Sequence, residues 1–90
     1  MPHIKFTHHL QRFFPELKPT HIEGTTVAEI ISGLNIQYPG LADYIIDERG
    51  VLRKHVNIFI SGELIQDRKT LQDSVGDKDH IFIFQALSGG

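Results

Sequence analysis

Ile81-Phe82-Ile83-Phe84, followed by Gln85-Ala86-Leu87-Ser88-Gly89-Gly90, carries a strand pattern straight into two terminal glycines. Upstream, His55–Ser61 holds a second strong strand signal, in which Val56, Ile58 and Ile60 alternate with Asn57, Phe59 and Ser61. Gly62-Glu63 supplies a turn into a short strand at Leu64-Ile65. The stretch from Asp67 to Asp79 is polar, anchored only by Leu71 and Val75, and Val75-Gly76-Asp77-Lys78-Asp79 has the composition of a turn. With Val56, Ile58, Ile60, Ile81 and Ile83 on the inner side, Phe59, Phe82 and Phe84 fall on the outer one. A one-residue shift of register would invert this assignment, placing Phe82 and Phe84 in the core.

The first half supplies a strand pair and a helix. Ile4, Phe6, His8 and Leu10 alternate with Lys5, Thr7 and His9, which predicts an opening strand with Ile4 and Phe6 inward. Phe13-Phe14-Pro15 breaks the alternation, and a short second strand is expected near Lys18–Glu23 with Ile22 as its apolar residue. Thr26-Val27-Ala28-Glu29 has the form of a capping box, with the Thr26 hydroxyl accepting from the Glu29 amide and Glu29 reaching back. Val27, Ile30, Ile31, Leu34 and Tyr38 follow at spacings of three and four and form one apolar face, which Pro39-Gly40 ends. Gly33 inside this helix costs about 1 kcal/mol relative to Ala and leaves room for a close approach. Leu41–Ile46 predicts one further helical turn, closed by Asp47-Glu48-Arg49-Gly50. The order strand, strand, helix, strand, short strand, strand predicts an α+β fold, a mixed sheet of four to five strands crossed by one main helix.

Ninety residues suit a single domain, 1–90, with 85–90 as an extended tail. The chain is 40% hydrophobic and 22% charged, which is the composition of a globular domain and not of a disordered one. Its net charge is −2, and its nine Lys and Arg residues are scattered along the sequence. A nucleic-acid surface needs such residues gathered on one face, so nucleic acid is not an expected partner. No apolar run approaches the roughly 18 residues that span a bilayer, and Met1-Pro2-His3-Ile4-Lys5 lacks the apolar core of a signal peptide, so no membrane partner and a cytoplasmic location are expected. The absence of cysteine excludes disulfides, thiolate metal ligands and cysteine nucleophiles.

The chemistry therefore concentrates on the end of the chain. Without side chains, Gly89 and Gly90 can thread a narrow channel and adopt backbone angles barred to other residues. Six extended residues from Gln85 onward reach roughly 20 Å, enough to feed the Gly90 carboxylate into another enzyme while the globular body stays outside. A frayed end without a role is the bland alternative.

Val56-Asn57-Ile58-Phe59-Ile60-Ser61-Gly62-Glu63, Asp77-Lys78-Asp79-His80-Ile81-Phe82-Ile83-Phe84 and the Gly89-Gly90 end together resemble the ubiquitin-like β-grasp sulfur carriers. Thr26-Val27-Ala28-Glu29 and Tyr38-Pro39-Gly40-Leu41 fit that family's helix and its exit. The family includes the small subunit of molybdopterin synthase, the thiamine sulfur carrier and the carrier of a thiocarboxylate route to cysteine. The longer connection through Arg49–Lys54 before Val56 resembles the cysteine-pathway carriers more than the shortest family members. Ser61 stands where Asn is frequent, and Gln85-Ala86 where proline is often found.

The resemblance implies a carrier that is not itself an enzyme and binds no cofactor. A ubiquitin-activating-type enzyme would adenylate the Gly90 carboxylate with ATP and magnesium, and a sulfur donor would displace AMP to leave a thiocarboxylate. A sulfur-accepting synthase would then use that group, whether for molybdopterin, thiamine, cysteine or a secondary metabolite. Gly89 and Ser88 would thread the tail, and Phe59, Phe82 and Phe84 would form the docking patch. One alternative is a protein modifier joined through Gly90 to lysines of other proteins. Another is a β-grasp domain that binds through its sheet and never reacts.

Other constellations carry less. His3, His8, His9, His21, His55 and His80 lack the spacing that places two metal ligands on one helix face, and read as scattered surface residues. His8 and His9 would point to opposite sides of a strand, and His3 or His9 could meet His21 only if the first two strands pair. Asp73, Asp77 and Asp79 lack calcium-loop spacing and read as a solvated turn. Lys5, Lys18, Lys54, Lys69 and Lys78 carry no motif, and Ser32, Ser61, Ser74 and Ser88 lack nucleophile contexts.

Overall fold

The computed structural model describes residues 1–85. β1 (His3–Phe6), β2 (Thr20–His21), β3 (Val56–Ile60), β4 (Glu63–Leu64) and β5 (His80–Gln85) form one five-stranded sheet in the order β2-β1-β5-β3-β4. β1 and β5 pair in parallel at its centre, and the remaining pairs are antiparallel. A parallel pair needs a long crossover, and α1 (Val27–Gln37) and the single turn α2 (Ala42–Ile45) lie within it. This is the expected α+β architecture, one main helix on a mixed sheet.

The inward rows settle the register. Ile4, Ile58, Ile81 and Ile83 are at most 2% exposed, and share one core with Val27, Ile30, Ile31 and Leu34 of α1. Each buried isoleucine contributes about 1.5–3 kcal/mol. A slip of one residue would place His3, Lys5 and His80 under the helix instead, so the observed register wins by a wide margin.

The helix begins as the sequence predicts at one bond and differs at the other. Thr26 Oγ1 accepts from Glu29 N at 3.2 Å, but the Glu29 carboxylate reaches Thr25, accepting from its N at 2.8 Å and its hydroxyl at 3.2 Å. Two further helix amides are capped from a distance, with Val27 N donating to Asp73 O and Ala28 N to Leu71 O. The polar 66–79 segment is thus a cap for α1. Its bend is held by Asp67, whose carboxylate accepts from the Thr70 hydroxyl and from the amides of Thr70, Gln72 and Lys69. These bonds, the Thr70 hydroxyl first, hold the Asp67 carboxyl well below the usual carboxylate range. Leu71, at φ 57°, is turned into the core by this bend.

The β3–β4 hairpin is closed by Ser61 (φ 47°) and Gly62 (φ 90°), the two positive angles that a primed two-residue turn requires. Ser61 Oγ donates to Asp79 Oδ1 at 2.7 Å and accepts from His80 N at 3.2 Å, which ties the turn to the start of β5.

Two expectations for the first strand fail. β1 stops at Phe6, and His8–Arg12 form a 3-10 helix that delivers Leu10 to the core. The Thr7 hydroxyl accepts from Gln85 N at 3.1 Å and ends the ladder there. His8 and His9 therefore do not alternate across a strand. The second strand shrinks to Thr20–His21 within the expected range.

The histidines are also less scattered than their sequence spacing suggests. Register sets His3 beside His21 of β2 and His80 of β5. The His3 ring stacks on His21 at 4.7 Å and meets His80 edge-on at 5.6 Å. No group of three or more His, Cys, Asp or Glu among the described residues is placed to hold a metal ion. Partial burial, with the neighbouring His21, Lys5 and His80, holds the His3 pKa below the ordinary imidazole value.

Two predictions follow from packing and charge. An ideal Cβ on Gly33 would lie 2.5 Å from Ile22 Cγ2. Gly33→Ala should therefore destabilise the domain by about 1–2 kcal/mol in urea, because overpacking outweighs the gain in helix propensity. An unchanged or raised midpoint would show that Ile22 moves freely. For His3, the folded chain binds fewer protons than the unfolded one, so its contribution to stability falls as pH drops below about 6.5 and levels off below the folded pKa. His21→Gln should raise the His3 titration midpoint in an imidazole NMR titration and reduce the loss of stability between pH 7.5 and 5. A midpoint that stays put would remove His21 as a cause.

Candidate functional site

The sheet face opposite α1 is built by the same alternation that fills the core. Phe59 stands beside Phe82 in the β3–β5 register, with ring centroids 6.4 Å apart, and Phe82 meets Phe84 at 6.2 Å. Phe82 and Phe84 are each 37% exposed, and Phe59 is half-buried. They line a shallow depression of about 560 Å³ with Lys5, Gly62 and His80. Leu64, opposite Phe59 on β4, is 52% exposed and extends the apolar surface. The inverted register, with Ile81 and Ile83 outside, does not occur. Apolar surface of this kind on a domain this small is a binding surface more often than an accident.

At the far end of β5, Gln85 pairs with Val56 at the beginning of β3. Gln85 thus belongs to β5 and is not the first residue of an extended tail. Ser88, Gly89 and Gly90 lie outside the described residues. Five residues follow Gln85 in the sequence, with a maximal reach of about 18 Å.

Sequence reasoning missed the surroundings of this exit. Beside Gln85 lies a cleft of about 660 Å³ whose charged lining is Arg49, Arg53, Lys54, Arg68 and Asp47, with His9 and His55. Four of the nine Lys and Arg residues therefore gather at one end of the sheet, although they look dispersed along the sequence. Arg53-Lys54-His55 immediately before β3 was the available signal. Arg68, which completes the cleft, is held by hydrogen bonds to Asn57 Oδ1 at 3.0 Å and Arg53 O at 2.7 Å, a contact that no local pattern announces.

The remaining polar residues are structural. Asp73 accepts from the amides of Gln66 and Asp67, and Asp79 from Ser61 Oγ and Gly76 N. Asp77 pairs with the N-terminal ammonium. Ser61 is held in its turn by Asp79 Oδ1 and the His80 amide. No helix among the described residues is long and apolar enough to cross a membrane.

Comparison with known proteins agrees with this geometry. The chain is 29% identical over 75 residues to the sulfur carrier protein CysO of Mycobacterium tuberculosis, covering 81% of each chain. It is 26% identical over 68 residues to small archaeal modifier protein 3 of Haloferax volcanii, covering 76% of this chain and 73% of that one. In structure it is similar to M. tuberculosis CysO, with a TM-score of 0.84 at 24% identity over 97% of this chain and 100% of the other. It is also similar to a chain of the Amycolatopsis orientalis BexX/CysO complex, with a TM-score of 0.86 at 23% identity over the full length of both. The ThiS family model matches residues 4–90. With a β-grasp fold, an aromatic sheet face and a terminal Gly89-Gly90, the chain belongs to the ThiS family of ubiquitin-like sulfur carriers.

Proposed function

We propose that the protein carries sulfur as a thiocarboxylate on Gly90 and supplies no catalytic side chain of its own. The observation that carries this reading is the Gly89-Gly90 pair, four and five positions past Gln85 of β5, in a chain whose family match runs through residue 90. A free carboxylate is a poor electrophile. An activating enzyme with ATP and magnesium would convert it to an acyl-adenylate, releasing pyrophosphate. Hydrosulfide then attacks the carbonyl carbon, the C–S bond forms, the C–O bond to AMP breaks, and a proton is released. A persulfide donor would give an acyl disulfide, which a second thiol must reduce. Ser88 and Gly89 would thread the enzyme's channel while Phe59, Phe82 and Phe84 dock the sheet face.

The likeness to a CysO found in complex with BexX supports a carrier that works on a partner's surface. The product would be consumed by a synthase that builds a carbon–sulfur bond, and the likeness to M. tuberculosis CysO favours the cysteine route. A second reading, conjugation of Gly90 to lysines of other proteins, is favoured by the match to an archaeal modifier. Both share the adenylation step.

Incubation with an activating enzyme of this family, ATP and sulfide should raise the intact mass by about 16 Da, the exchange of one oxygen for sulfur. Deletion of Gly89-Gly90 should abolish the shift. No shift together with high-mass adducts in cells would favour the modifier, and full function of the deletion variant would sink both readings. Phe82→Ala should raise KM for the carrier by about tenfold with kcat unchanged. Unaltered KM would move docking off the sheet face.

A further inference from the structure

The cleft at the tail's root has a charge that the sulfur-carrier reading does not use. Val56 pairs with Gln85, and Arg53, Lys54 and His55 line the cleft beside that residue. Asp47 is the one carboxylate in the lining. It is already engaged by the amides of Arg49 at 2.8 Å and Val51 at 3.1 Å, and by the Arg49 guanidinium at 3.1 Å. Arg53 and Arg68 each spend part of their guanidinium on backbone carbonyls, Asp43 O and Arg53 O. These bonds fix the two cations in place without neutralising them. Lys54 and His55 are exposed and make no side-chain hydrogen bond among the described residues. In a chain of net charge −2, this end of the molecule is locally positive.

We infer that the cleft is a docking site for an acidic rim around the channel that receives the tail. The inference rests on the reading that Gly90 enters another enzyme. Gly90 stands five positions past Gln85, about 18 Å at most, so an enzyme enclosing Gly90 must lie against the surface around Gln85. The rim of its channel then faces Arg49, Arg53, Lys54 and Arg68, and carboxylates there meet a prepared set of charges. Cations near the edge of an interface chiefly raise the rate of encounter and fix orientation, in a salt-dependent way. The aromatic patch and the cleft thus divide the work. One supplies apolar contact, while the other aims the tail. A nucleic-acid ligand is the weaker candidate, because no Phe, Tyr or Trp lines the cleft and its stacking surfaces are limited to His9 and His55.

Two measurements test this. The first is kcat/KM of the activating enzyme for the carrier as a function of ionic strength, for wild type, Lys54→Glu, and Lys5→Glu on the sheet face. Lys54→Glu should lower kcat/KM about tenfold at low salt, through KM, and approach wild type near 0.5 M salt as the charges are screened. Lys5→Glu should show a smaller loss. A Lys54→Glu variant that folds normally by circular dichroism and matches wild type at every salt concentration overturns the inference while leaving the carrier function intact.

The second needs no enzyme. Titration of the ¹⁵N-labelled protein with hexaglutamate should shift amides in 49–57, 68 and 85, and Lys54→Glu should suppress those shifts. Shifts scattered over the surface, or tighter binding of a single-stranded oligonucleotide at the same residues, would overturn it. If sulfur transfer fails while hexaglutamate maps to the cleft, the functional reading falls and the acidic-ligand site stands.

Discussion

The burial of one row of isoleucines beneath α1 governs everything else in this protein. Ile4, Ile58, Ile81 and Ile83 come from three adjacent strands and must all face the helix together. Because side chains alternate along a strand, that demand fixes the outer row as well. His3, Lys5, Phe59, His80, Phe82 and Phe84 are placed on the open face by the packing of their neighbours. The aromatic face is in this sense the reverse side of the core.

A small domain with a thin core needs further constraint, and the 66–79 segment supplies it. Asp67, Asp73 and Asp79 accept hydrogen bonds that fold an otherwise irregular stretch into a cap for the amino end of α1 and a tie between the β3–β4 turn and β5. In the sequence Asp73 and Asp79 read as part of a solvated turn. In the fold their lone pairs are occupied by amides and hydroxyls, which is how a charged side chain stabilises a loop without a metal or a substrate. The globular body holds shape and presents surfaces, and in the proposed cycle the reactive group is the Gly90 carboxylate.

That division also explains why the protein can do without cysteine, histidine pairs or a serine nucleophile in a catalytic setting. Activation of a carboxylate requires a leaving group and a nucleophile, and both come from other molecules in the proposed cycle. What the carrier must contribute is recognition. The aromatic face runs along β5 from His80 to Phe84, and the basic cleft lies beside Gln85 of the same strand.

The sequence by itself determined the elements whose signal is local. The apolar spacing from Val27 to Leu34 sufficed for the helix, and the alternation in 55–61 and 81–84 sufficed for two strands, while the outward placement of the phenylalanines was settled by the register of the packed sheet. Gly89-Gly90 is legible for the same reason, being a property of two adjacent residues. Tertiary structure decided whatever depends on chains meeting. It ended β1 at Phe6, where the Thr7 hydroxyl takes the Gln85 amide, and it moved the Glu29 carboxylate to Thr25. It stacked His3 on His21, and it carried Arg68 to Arg53 across 15 positions to complete a basic cleft. Periodicity reports which face of an element is apolar, but not which distant residue will stand against it, because that choice is made by strand order and register once the core has closed.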